Sequence, residues 1–119
     1  MVATFRGVFL TSDNPQETAR FYRVVAGLPL EQVGDPNTYV YWILSQNGME
    51  LAIHDSAAFA EYTDPPLRGS NTTHLYFQID DYDTFLVRLR SIGITPVDAD
   101  DVVITVEDPD GRKVMFGTA

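Results

Sequence analysis

The sequence predicts an α+β fold built from two tandem βαβββ modules, and three observations carry that prediction. Strand-like and helix-like stretches follow one another twice in the same order. Each long helix-like stretch opens on an Asp or Asn cap and closes on a glycine. Corresponding landmarks recur at a slowly shrinking offset: Asp13 and Asp81 lie 68 residues apart, Gly27 and Gly93 66, and Gly48 and Gly111 63. The modules span about residues 2–62 and 72–119 of what reads as one domain.

In module one, Val2 to Thr11 is rich in β-branched and aromatic residues and reads as a strand. Asp13 or Asn14 caps the helix that follows, with Pro15 in its first turn and Glu17 close behind. Phe21, Val25 and Leu28 share one face of it, and Gly27 ends it. Leu30 to Val33 is a short strand, and Gly34-Asp35-Pro36-Asn37 a turn. Thr38 to Ser45 and Met49 to His54 form a hairpin about Asn47-Gly48. Ser56 to Tyr62 reads as a short helical turn, and Thr63 to Asn71 as a linker.

Module two repeats the plan. Thr73 to Ile79 is a strand, and Asp80 or Asp81 caps a helix carrying Phe85, Leu89 and Ile92 on one face. Gly93 ends it. Ile94 to Val97 is a short strand, and Val102 to Val106 a β-branched one. Asp108-Pro109-Asp110-Gly111 is a turn into the last strand, Arg112 to Phe116.

Composition excludes several functions. A chain of 119 residues can bury roughly two-thirds of its unfolded surface, enough for a core without staples. With no cysteine there is no disulfide framework and no thiolate nucleophile or ligand. A net charge of −9 is the wrong sign for a nucleic-acid partner. Met1 to Leu10 lacks a basic region followed by a long apolar run, and no apolar stretch reaches the roughly 18 residues of a membrane span, so a cytoplasmic location is expected. There is no G-x-S-x-G elbow and no Gly-rich phosphate loop. The acidic groups Asp80, Asp81, Asp83 and Asp98, Asp100, Asp101 lack calcium-loop spacing and read as a helix start and a solvated loop.

The order and spacing of Ser12-Asp13, Phe21-Tyr22, Ala26-Gly27-Leu28, Asn47-Gly48, His74 and Asp108-Pro109-Asp110-Gly111 resembles the vicinal oxygen chelate superfamily, the glyoxalase/bleomycin-resistance/extradiol-dioxygenase fold. The resemblance covers essentially the whole chain. It implies that each module curls into a half-barrel and that the pair encloses one cavity. It also implies a homodimer. In family metalloenzymes, the first and last strand of each module each supply one ligand to a divalent ion. Counted seven residues back from Asp13 and Asp81, and four forward from Gly48 and Gly111, those positions are Arg6, His74, Ala52 and Met115. Arginine repels a cation, alanine has no donor, and methionine is a soft thioether. Glu50 shares the face of Ala52, but with His74 it makes two ligands where catalytic sites supply three. No metal and no cofactor are expected.

Period-two alternation assigns the strand faces. Arg6, Val8 and Leu10 face the cavity while Phe9 packs under the helix. Glu50, Ala52 and His54 face in, as do His74, Tyr76, Gln78, Lys113 and Met115. In the third strand either Tyr39, Tyr41 and Ile43 face in, or Val40, Trp42 and Leu44 do. Phe59 and Tyr62 read as lid or partner-contact residues. Each of these has a structural counterpart. His74 can be a hydrogen-bonded wall residue, and His54 can be solvent-exposed. Arg6 and Glu50 can pair, and Tyr41, Trp42, Tyr76 and Met115 can be plain packing.

The resulting expectation is a metal-independent small-molecule binding protein. Arg6, Tyr41, Trp42, Glu50, His54, His74, Tyr76 and Met115 contact the ligand, an aromatic or cationic compound such as an antibiotic. The alternative is a lyase, isomerase or dioxygenase of the same fold. It would use a rearranged metal site on Glu50 and His74, or acid/base chemistry by that pair.

Overall fold

The structure, a computed structural model, describes residues 5–60, with side chains as far as Ala58, and residues 74–118. The side chain of Phe59, Tyr62 and the stretch 63–71 read as a linker lie outside the described residues. The chain divides into two compact units, Met1–Arg68 and Gly69–Ala119. Each carries one βαβββ module.

The first unit contains β1 (Gly7–Ser12), α1 (Pro15–Val25), β2 (Glu31–Asp35), β3 (Tyr39–Gln46), β4 (Met49–Asp55) and the short α2 (Ser56–Ala60). Its sheet runs β1-β4-β3-β2, with β1 parallel to β4 and the other pairs antiparallel. The N-cap of α1 is Asn14, not Asp13: its side-chain oxygen accepts from the Glu17 backbone amide at 3.2 Å, and its side-chain NH2 donates to the Glu17 carboxylate at 3.3 Å. Pro15 follows at the first helical position, where no amide hydrogen is needed. Thr18, Ala19, Tyr22 and Val25 form the buried stripe. Tyr22 is the ring in the core, and Phe21 is half-buried beside it, edge-on at 5.2 Å. Small Thr18 and Ala19 let the helix sit close over Leu10 and Ser12 of β1, Trp42 and Leu44 of β3, and Ile53 of β4. The buried Ser12 and Thr18 hydroxyls satisfy each other at 3.0 Å.

This reverses the prediction for β1. Leu10, expected to face away from the helix with Arg6 and Val8, is 3% exposed in the helix-side core. Phe9, expected under the helix, is 58% exposed on the other face. The error traces to the cap. Seven residues back from Asn14 is Gly7, and Phe9 and Thr11 share that face by alternation. Gly7 is required where it stands, since a β-carbon there would lie 2.0 Å from the Glu50 carbonyl oxygen. The third strand is settled too: Trp42 and Leu44 face the helix, so Tyr39, Tyr41 and Ile43 face away.

The second unit contains β5 (His74–Gln78), α3 (Tyr82–Ser91), β6 (Asp98–Ala99), β7 (Val103–Glu107) and β8 (Lys113–Gly117), in sheet order β5-β8-β7-β6. Asp81 caps α3, accepting from the Thr84 amide at 2.9 Å. Gly93, at φ 77°, closes it through bonds from Gly93 to the Arg90 carbonyl and from Ile94 to that of Leu89. Leu89, Ile104, Val106, Val114 and Phe116 are fully buried, and Phe77 and Phe85 flank the Phe116 ring at 5.5 and 4.5 Å. The edge strand forms at Asp98–Ala99 instead of Ile94 to Val97, because Pro96 has no amide hydrogen for a ladder.

The Asp108-Pro109-Asp110-Gly111 turn does more than reverse the chain. Asp108 accepts from the amides of Asp110 and Arg112 and from the Arg112 guanidinium, each at 2.9 Å. Both side chains of this ion pair are buried, at 0% and 3% exposure. Replacing Asp108 with alanine leaves a buried guanidinium without its main carboxylate. We expect Asp108→Ala to lower unfolding stability by about 3 kcal/mol, measured by urea denaturation. A change under about 0.5 kcal/mol would show that Asp110 alone carries the charge.

Candidate functional site

The β1–β4 and β3–β4 registers build an aromatic cluster on the face of the first sheet that points away from α1. In the ladder Phe9 lies opposite Ala52, Thr11 opposite His54, and Ile43 opposite Ala52. Side chains opposite one another share a face. His54 sits at the centre. Tyr41 stacks on its ring at 4.6 Å and 17°, and Phe9 leans on it at 5.2 Å. The Tyr39 ring lies parallel to it at 5.9 Å.

One polar chain threads the cluster. The Asp55 amide donates to the Tyr39 hydroxyl oxygen at 3.3 Å, and that hydroxyl lies 2.7 Å from His54 Nδ1. Which of the two donates follows the tautomer of the imidazole. Burial pushes the His54 pKa down, which agrees with a neutral ring.

Glu50 lies on the same face, opposite Gly7. Its Oε1 is 3.5 Å from Nη2 of Arg6, whose side chain is 79% exposed. A pair this open and this long is weak, yet it supplies the carboxylate with a cation from the protein itself. Trp42 is not part of the cluster. It lies on the opposite face, 9% exposed, with the Arg23 guanidinium 5.0 Å above its ring. It borders a cleft of about 510 Å³ that Asn14, Gln32, Thr38, Asp55 and the cluster residue Tyr39 also line.

The remaining predicted residues belong to the second unit and share the helix-distal face of its sheet. His74 is exposed at the start of β5, opposite Lys113, whose ammonium binds Glu107 at 2.8 Å. Tyr76 lies opposite Met115 and reaches across Gly117, where a β-carbon would come within 2.6 Å of its hydroxyl. Of the predicted ligand-contacting set, the structure gathers Arg6, Tyr41, Glu50 and His54 on one sheet and His74, Tyr76 and Met115 on the other. Phe9 was missed, and Tyr39 was named only as one of two alternatives. The signal for Phe9 was present in Asn14-Pro15-Gln16-Glu17, whose spacing marks Asn14 as the cap.

The donor set does not fit the divalent ion of the family's metalloenzymes. With the cap at Asn14 the four strand positions become Gly7, Ala52, His74 and Met115, which offer one imidazole and one thioether. The residue opposite His74 in the ladder is an ammonium. Among the described residues no three His, Cys, Asp or Glu side chains converge.

Because His54 is held neutral, its folded pKa lies below 6.5. As pH falls through that value the unfolded chain takes up the proton first, so stability declines until the lowered folded pKa is reached and then levels. His54→Gln removes this component. Urea midpoints compared between about pH 7.5 and about pH 5 should fall less steeply in the variant. Equal slopes would mean that the ring is not held neutral in the fold.

The sequence model of the glyoxalase-like domain family matches residues 7–116. Among solved structures, the chain resembles a glyoxalase-related enzyme from Fulvimarina pelagi, with 19% identity over 99% of this chain and 89% of that one and a TM-score of 0.75. It also resembles lactoylglutathione lyase from Agrobacterium tumefaciens, with 20% identity over 98% and 94% and a TM-score of 0.73. A third is TioX from Micromonospora sp. ML1, with 16% identity over 98% of each chain and a TM-score of 0.72. At these identities the likeness shows the fold. No curated protein sequence matches the chain. The family match spans both modules and every landmark of the repeat, and the chain belongs to the glyoxalase-like domain family of the vicinal oxygen chelate superfamily.

Proposed function

We propose that this protein binds a small aromatic compound without a metal ion, and that the helix-distal face of the first sheet is where it does so. The observation that carries this reading is the cluster of Phe9, Tyr39 and Tyr41 around a neutral His54. Rings on a rigid sheet present flat apolar area at little entropic cost, and planar ligands stack on such area. Phe9, at 58% exposure, is a large apolar surface that the fold leaves in solvent.

A holding role is favoured over metal-assisted turnover by the donor set, since only His74 among the four family positions is an ordinary ligand. The name of the lyase neighbour points to catalysis, but its 20% identity carries the fold and not the chemistry. Sequestration, in which tight binding is itself the activity, needs only the ring cluster and its hydrogen-bonding edge.

A panel of planar aromatic compounds screened by thermal shift should raise the melting temperature for at least one class. For that compound, Tyr41→Ala should weaken binding about tenfold or more, measured by calorimetric titration. Trp42→Phe should leave affinity within about twofold, because the indole lies on the other face of the sheet. Equal losses in both variants would place the ligand elsewhere, and a panel without any shift would refute aromatic binding.

A further inference from the structure

The cleft of about 510 Å³ in the first unit has a chemistry of its own, and of the cluster's rings only Tyr39 borders it. Its walls follow from the registers. Val40 and Trp42 alternate onto the helix side of β3, and Gln32 lies opposite Trp42. Trp42 is buried, whereas Val40 is half-buried and borders the open space together with Pro15 and Gln16 of the first turn of α1. The charges come from the strand ends. Ser12 lies opposite Asp55 in the parallel β1–β4 ladder, so Asp13 and Asp55 stand at neighbouring ends, and both line the cleft. The first turn of α2 orients them. The Ser56 hydroxyl donates to Asp13 Oδ1, and the Ala58 amide donates to Asp55 Oδ1 at 3.0 Å. Neither bond brings a positive charge. Among the described residues no Lys, Arg or His lines the cleft. The positive end of α1 is close by, but it amounts to about half a charge and is answered by the Asn14 cap and by Glu17 in the first turn.

We infer that this cleft is a second binding site, for a small organic ammonium whose charged group meets Asp13 and Asp55 while a short apolar tail lies along Val40 and Trp42. Two carboxylates at adjacent strand ends repel each other, and a bound cation relieves that repulsion. A metal ion is the poorer occupant, because among the described residues no three His, Cys, Asp or Glu side chains converge. An ammonium needs fewer oxygens, and the Pro15, Pro36, Val40 and Trp42 surfaces accept hydrocarbon. Arg23, 5.0 Å above the Trp42 ring, disfavours a second positive charge at the tail. The site does not depend on the aromatic-binding reading, since it uses neither Phe9 nor His54.

Three probes of similar size test this: isoamylammonium, isoamyl alcohol and isocaproate. Affinities are read by NMR titration of the full chain at neutral pH and matched ionic strength, following backbone amides and the indole N–H. Isoamylammonium should bind about fivefold or more tighter than the alcohol, and isocaproate more weakly than either. The largest shifts should fall on Val40, Trp42 and Ala58, and not on Ile43 or Ala52 of the helix-distal face. Asp55→Asn removes the charge and keeps a side-chain oxygen for the Ala58 amide. It should weaken the ammonium about fivefold or more and leave the alcohol within about twofold. Glu31→Gln removes an exposed carboxylate opposite Ile43, on the other face. It should leave ammonium affinity within about twofold. Alcohol or isocaproate matching the ammonium would overturn the inference. So would equal losses in the two variants, which would mean general attraction to an acidic chain, or shifts confined to the helix-distal face. Saturable binding of none of the three would overturn it too, and would leave the aromatic reading to its own screen.

Discussion

Gly7 lets β1 close onto β4 with its α-carbon against the Glu50 backbone, nearer than any side chain would permit. That approach fixes the parallel register, and the register decides which side chains see the helix and which see solvent. Leu10, Ser12 and Ile53 go under α1, while Phe9, Thr11 and His54 go to the opposite face. A slip of one residue would exchange the two sets, burying Phe9 and removing the ring that leans on His54. The helix packing and the aromatic cluster are therefore two consequences of one strand pairing, locked at one end by a residue with no side chain.

The two units differ in how they use buried polar groups. In the second, buried Asp108 binds the Arg112 guanidinium and two turn amides, with Asp110 a second carboxylate 3.4 Å from Arg112, and these bonds shape the last hairpin. Its role is structural, since removing Asp108 leaves the buried Arg112 guanidinium only the longer contact to Asp110. In the first, the Asp55 amide, the Tyr39 hydroxyl and His54 Nδ1 are linked in a chain of contacts at the centre of the ring cluster.

Membership of the glyoxalase-like family would by itself point to a metal-assisted reaction, and the side chains at the metal positions oppose that. Glycine and alanine stand at the two first-module positions, and the lone histidine of the second faces an ammonium across the ladder. The superfold supplies strand ends and a sheet face, and chemistry depends on what is grafted there. In this chain the helix-distal face of the first sheet carries a ring cluster about His54.

By itself the sequence determined the modular repeat, both helices with their glycine stops, the Asn47-Gly48 hairpin, and the alternation in β4, β5 and β8. These are local matters: a cap, a left-handed glycine, a period of two. It also determined that the metal positions are largely empty of donors, because residue identity alone answers that. The tertiary structure decided what depends on register or on partners far along the chain. Asp13 and Asn14 both suit the cap, and counting the β1 register from Asp13 shifted it by one residue, which with a period of two reverses every side chain in the strand. Tyr41 and Trp42 are adjacent and both suit a strand, so only packing against α1 could send the indole inward. The partner of His54 Nδ1 is a hydroxyl 15 residues away, and the burial of Arg112 depends on the folding of its own turn. No local pattern encodes either, because each is a hydrogen bond that exists only once the strands have met.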